Sequence, residues 1–172
     1  MTGHSLGSGL SDLTLRLLNS SDIPVIKSWP PYPKEFSGLD YALRDDGWLD
    51  HRTPDTGSMI FVGEINSEPI GFSILTRESG TCPEFLIAIH PDCLGKGYGR
   101  ELTCRTLAHG FFQLGFSCIR LIVRKNNYRA QKLYEDLGFV RAGECVETIQ
   151  GNEIEFYRME LTKQSFEEGM ST

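Results

Sequence analysis

The stretch Glu84-Phe85-Leu86-Ile87-Ala88-Ile89-His90-Pro91-Asp92-Cys93-Leu94-Gly95-Lys96-Gly97-Tyr98-Gly99-Arg100 decides how the rest of the chain is read. Its first six residues are almost all apolar, the pattern of a strand buried on both faces and so central in a sheet. His90-Pro91-Asp92 reads as a turn, and glycines follow at alternate positions, Gly95, Gly97 and Gly99. From about Arg100 the residues Leu102, Leu107, Phe111 and Leu114 share one side of a helix, which Gly115 stops. Strand, glycine-rich loop and helix in that order make a phosphate anchor. Glycines admit close backbone approach, several N–H groups converge, and the helix start adds partial positive charge. Two commoner phosphate motifs do not fit. A P-loop needs Gly-Lys followed by Ser or Thr, whereas Lys96 lies between glycines. A dinucleotide fingerprint opens a doubly wound domain, and here an antiparallel meander comes first.

That meander lies upstream. Leu13 to Leu17 alternates apolar and polar residues as a half-buried strand does. Ser20, Ser21 and Asp22 offer helix-capping side chains for a short helix over Ile23 to Trp29, which Pro30, Pro31 and Pro33 end. Lys34 to Gly57 is weakly patterned, with a helix expected over Leu39 to Asp50. Its aromatics, with Trp29 and Tyr32 beside them, are either core cover or a substrate surface. Met59–Ile65 and Pro69–Leu75 read as strands joined by a turn at Asn66-Ser67-Glu68. Downstream, Cys118–Val123 is a strand and Asn127–Leu137 a helix stopped by Gly138. Phe139–Gln150 and Glu153–Leu161 form a hairpin turning at Gly151-Asn152.

Composition narrows the function. The 172 residues are 40% apolar and 23% charged, which excludes a disordered or fibrous chain and suits one domain. The boundaries expected are a flexible Gly/Ser-rich tail over 1–10, one domain over 11–165 and a C-terminal tail over 166–172. A net charge of -6 works against a phosphate-tracking nucleic-acid binder and favours cationic partners. No apolar run approaches the ~20 residues of a membrane helix, and the N-terminus lacks a signal-peptide pattern. The five cysteines are odd in number and without C-x-x-C spacing. They read as free thiols in a cytoplasmic protein without a metal site.

Ile89 to Gly99 resembles the acetyl-CoA pyrophosphate loop of the GCN5-related N-acetyltransferases, the GNAT superfamily. Asn127-x-x-Ala130, then Leu133-Tyr134, then Gly138-Phe139 resembles that family's second signature, at its usual separation from the first. The resemblance implies an α/β (α+β) GNAT fold: one mixed, mostly antiparallel sheet of about seven strands with about four helices. Gly143-Glu144 and the terminal hairpin look most like the group acetylating ribosomal-protein N-termini and polyamines.

The resemblance implies that Ile87 and Ile89 offer backbone to the pantetheine arm. Leu94, Gly95, Lys96, Gly97, Tyr98, Gly99 and Arg100 would line the pyrophosphate loop, and the Asn127 side chain would hold the cofactor. Leu94 departs from the family, which usually has Arg or Gln there, and this lowers the expected affinity. Tyr134 is carried over as the group beside the cofactor sulfur, able to protonate a departing thiolate. Glu84 is a candidate base acting on the amine through water, with His90 a weaker one. Lys96, Arg100, Arg124 and Arg129 are basic groups for a 3′-phosphate. Glu144, Glu147, Glu153 and Glu155 form an acidic hairpin face. The implied function is acetyl transfer from acetyl-CoA, without a metal, to a primary amine on a protein N-terminus, a polyamine or a small molecule. The cytoplasm is the expected setting, with no nucleic-acid or membrane partner and a homodimer allowed. The alternative is a non-catalytic acyl-CoA-binding module or sensor of the same fold.

Overall fold

The computed structural model describes residues 12–78 and 82–171. The tail expected over 1–10 lies outside the described residues. Seven strands are present: β1 (Thr14–Leu17), β2 (Ser58–Ile65), β3 (Glu68–Thr76), β4 (Glu84–Ile89), β5 (Cys118–Arg124), β6 (Val140–Ile149) and β7 (Asn152–Thr162). Five α-helices accompany them among the described residues: α1 (Asp22–Lys27), α2 (Trp48–His51), α3 (Tyr98–Ala108), α4 (Tyr128–Asp136) and α5 (Lys163–Met170). The strand order is β1-β2-β3-β4-β5-β7-β6, with β4 in the middle as its apolar run requires. β4 and β5 run parallel, whereas β1–β2, β2–β3, β5–β7 and β6–β7 are antiparallel. This is the mixed α/β sheet expected from the sequence.

The chain gathers into two compact units. One holds the described residues up to Arg77 together with Leu86–Ala108; the other holds Glu78–Phe85 and the described residues from His109 onward. In the first unit, Ile26, Trp29, Leu43, Phe72, Ile74, Leu86 and Ala88 share one buried cluster. Leu13, Ile70, Ile89 and Leu102 share another, so α3 packs through Leu102. A Cβ on Gly71 would lie 2.8 Å from Ile89 Cδ1 and 3.0 Å from the Ala88 carbonyl oxygen, so any side chain there would force Ile89 to shift and crowd the β4 backbone. β1 is tied down by Arg16, which pairs with Asp22 at 2.8 Å and Glu64 at 2.9 Å. The Arg16 guanidinium holds the Asp22 carboxyl below its usual range, helped by the Asn19 N–H at 2.7 Å.

In the second unit, Ile119, Leu121, Val123, Phe139, Phe156, Met159 and Leu161 are buried. Arg120 donates to the Cys82 carbonyl at 3.0 Å and pairs with Glu78. Four readings are corrected here. The stretch from 166 is not a tail: α5 continues to Met170, and buried Phe166 sits 5.3 Å from the Phe111 ring. Cys82 and Cys118 are bridged rather than free, and Cys93, Cys104 and Cys145 remain thiols. The β6–β7 turn is Gln150-Gly151, one residue earlier than expected, with both φ values positive. Within 39–50 the chain forms part of a 3-10 turn, Lys34–Leu43, and then α2, because no apolar periodicity sustains a longer helix.

Two measurements check these anchors. Asp22→Asn should cost about 2 kcal/mol in urea unfolding at neutral pH, the scale of hydrogen bonds to a charged group. Because the folded-state pKa of Asp22 is lowered, its contribution is full above about pH 4 and is lost as pH falls through the folded value. The gap between wild type and variant should therefore close in acid. The bridge spans 36 positions, so reduction should cost about 3–4 kcal/mol. Thiol titration of unreduced, denatured protein should count three free thiols; five would show that no bridge forms.

Candidate functional site

β4 ends at His90. The His90 ring lies 4.8 Å from that of Trp29, and its Nδ1 accepts the Asp92 N–H at 3.0 Å, capping the turn Pro91–Cys93. Leu94 follows, half-buried and packed against both apolar clusters of the first unit. Gly95, Lys96 and Gly97 then run exposed, with φ of +75° at Gly95 and +87° at Gly97. Both glycines occupy the left-handed region that side chains resist. Tyr98 opens α3, and the first bond of that helix runs from the Glu101 N–H to the Gly97 carbonyl at 3.2 Å. Among the described residues, no N–H from Gly95 to Arg100 donates to another backbone carbonyl. Those unspent donors, at the start of an 11-residue helix, form a ready anion cradle.

Ile87 and Ile89 lie on β4 beyond the position where Glu84 stands opposite Arg120 in the β4–β5 register. The Ile89 carbonyl already accepts a hydrogen bond from the Tyr32 hydroxyl, at 2.6 Å. Glu84 itself is half-buried at the first position of β4.

The remaining sequence-predicted residues belong to the second unit. Asn127 is the N-cap of α4: its Oδ1 accepts the Ala130 N–H at 3.1 Å. Tyr134 is buried on α4, its ring 5.6 Å from that of Phe139 in an edge-on arrangement. Burial pushes its phenol up, so the hydroxyl keeps its proton through the neutral range. One residue escaped the sequence reading. Gln131 is buried and donates to the Arg124 and Lys125 carbonyls at 3.0 and 2.9 Å, closing the β5–α4 connection. A polar residue on the buried face of an amphipathic helix was the available signal. Of the acidic hairpin set, Glu144 and Glu155 are both paired with Lys125, so the face is less negative than its composition suggests. Among the described residues, no group of three or more His, Cys, Asp or Glu is placed to hold a metal, and no helix is long and apolar enough to cross a membrane.

Residues 25–139 match the acetyltransferase (GNAT) family. The chain belongs to that family. A spermidine N(1)-acetyltransferase of Vibrio cholerae is 38% identical over 85 residues, 48% of this chain and 49% of that protein. The match thus spans about half the length of the curated relative. The solved structure of spermidine N-acetyltransferase from Vibrio cholerae in complex with CoA and spermine is 29% identical, with a TM-score of 0.68, covering 91% of this chain and 98% of that one. A dodecameric structure of the same enzyme in an intermediate state has a TM-score of 0.70 at 29% identity, covering 91% and 96%. Against the GNAT pattern, Leu94 stands where the family usually has a polar side chain. Here the Leu94 side chain packs against both apolar clusters and anchors the loop in the core.

Gly97→Val should strain the loop, because a β-branched residue resists φ near +87°. Calorimetry should show acetyl-CoA binding weakened by about an order of magnitude or more, as expected for a cradle built by backbone donors.

Proposed function

We propose that this protein is an N-acetyltransferase that moves the acetyl group of acetyl-CoA to a primary amine, with polyamines as the favoured acceptor class. The observation that carries the reading is the left-handed Gly95 and Gly97 loop opening on α3, in a chain belonging to the GNAT family. The relative solved with CoA and spermine supports both the donor and the acceptor class. The cradle N–H groups from Gly95 to Arg100 hold the pyrophosphate, and the Asn127 amide takes a further part of the cofactor.

In the reaction the neutral amine attacks the thioester carbonyl carbon, a C–N bond forms and the C–S bond breaks. In this reading the amine loses one proton through a water to Glu84, the departing thiolate gains one from Tyr134, and solvent returns a proton to Tyr134 and takes the one on Glu84 to close the cycle. The reading assigns no step to a metal. The dodecameric relative supports self-association of this chain. A cytoplasmic setting stays within the proposal, and the Cys82–Cys118 bridge works against it, because reducing compartments keep thiols free.

Thiol release from acetyl-CoA, measured across a panel of spermidine, spermine, peptide N-termini and small amines, tests the reaction. Turnover with polyamines is expected; acetyl-CoA binding without turnover on any amine would make the protein a binding module. Tyr134→Phe keeps the ring against Phe139 and removes the hydroxyl. It should lower kcat by roughly tenfold to a hundredfold, the low end of general-acid effects, with acetyl-CoA affinity and Tm little changed. Full kcat in that variant would return Tyr134 to a packing role.

A further inference from the structure

Tyr32 carries a buried hydroxyl that the reaction does not use. Its ring is 7% exposed within the aromatic cluster of the first unit, and its hydroxyl donates to the Ile89 carbonyl across 57 positions of sequence. The N–H of that same peptide group belongs to His90 and donates to the Ile70 carbonyl at 2.8 Å. Both polar ends of the Ile89–His90 peptide are therefore held, one by a side chain and one by β3. The phosphate-cradling loop leaves the strand at this peptide, and Trp29 packs on the next ring, His90.

Tyr32 is in turn held in place. Arg44 pairs with Asp40 through Nε at 3.1 Å and Nη2 at 2.8 Å. The same guanidinium donates through Nη1 to the Lys27 and Trp29 carbonyls at 2.9 and 2.7 Å, and the Tyr32 N–H reaches Asp40 Oδ1 at 3.4 Å. The polar segment from Trp29 to Arg44 is thus braced, and it delivers one hydroxyl to the end of β4. A phenylalanine would pack equally well and leave that carbonyl buried without its donor.

We propose that Tyr32 is a positioning residue for the phosphate-cradling loop: by holding the Ile89 carbonyl it sets the exit of β4, and with it the place of the Gly95–Gly99 donors. This rests on reading that loop as the acetyl-CoA pyrophosphate site. A loop with two left-handed glycines is costly to order, and a braced exit lowers the ordering cost at the moment of binding. The effect belongs to cofactor affinity and not to the acyl-transfer step.

The test is Tyr32→Phe in the full chain, read by amide hydrogen exchange without ligand and by acetyl-CoA binding and kinetics. Exchange at the hydrogen-bonded amides where the loop leaves β4, those of His90, Asp92 and Cys93, should rise about tenfold while β6 and β7 keep wild-type protection, since losing one hydrogen bond is worth about a factor of ten. The Kd and KM for acetyl-CoA should rise about tenfold, with kcat at saturating acetyl-CoA within about twofold of wild type. Asp40→Asn, which keeps the hydroxyl and weakens its brace, should move the same quantities in the same direction by less. Unchanged loop exchange, a rise in exchange spread evenly over the chain, or a loss of kcat with affinity intact would each overturn the proposal. If loop exchange rises locally but the wild-type protein binds no acetyl-CoA, the positioning role stands and the cofactor assignment of the loop falls.

Discussion

Alternate side chains of β4 enter two different apolar clusters, and this constraint determines where the chain leaves the sheet. Leu86 and Ala88 pack with Phe72 and Ile74, whereas Ile87 and Ile89 pack beside Ile70 and Leu102. A slip of one residue would exchange the two sets and turn each toward the other cluster. The register therefore has one solution. With it, His90 falls at the strand end, the turn Pro91–Cys93 follows, and the two left-handed glycines are presented to solvent at the start of α3.

The residues proposed to meet the cofactor are also structural parts. Asn127 spends its side-chain oxygen on the α4 cap and retains only its amide donors. Leu94 is buried in part between two clusters and offers no polar group at all. The cradle is thus left to backbone N–H groups, whose direction depends on φ and ψ and not on side-chain identity. That dependence explains how a loop can depart from its family at Leu94 and keep its geometry. It also places a premium on whatever fixes the loop's ends.

Burial acts on chemistry in the same way at Tyr134. Burial beside Phe139 desolvates the phenol and raises its pKa, so the environment that makes it a core residue keeps the hydroxyl neutral, able to donate a hydrogen bond and reluctant to give up its proton. A packing role and a chemical role are not exclusive for such a group. Removing the hydroxyl while keeping the ring separates them.

Strong local signals made much of this legible in the sequence. The continuous apolar run of β4 announced a central strand, and the alternate glycines before a helical pattern announced the left-handed loop that opens α3. Prolines and glycines marked most element ends, because backbone limits of that kind act on a few neighbouring residues. What escaped depended on residues far apart in the chain. The Cys82–Cys118 bridge needs two thiols brought together across 36 positions, and neither carries a local signature. Phe166 turned an expected tail into a helix, because its docking beside Phe111 supplies burial that a marginal eight-residue helix lacks alone. Tyr32 lay beside the least patterned segment, among prolines, with no periodicity to mark it. Its meaning came only from the 2.6 Å contact with Ile89, since a single hydrogen bond between distant residues leaves no trace in either one's neighbours.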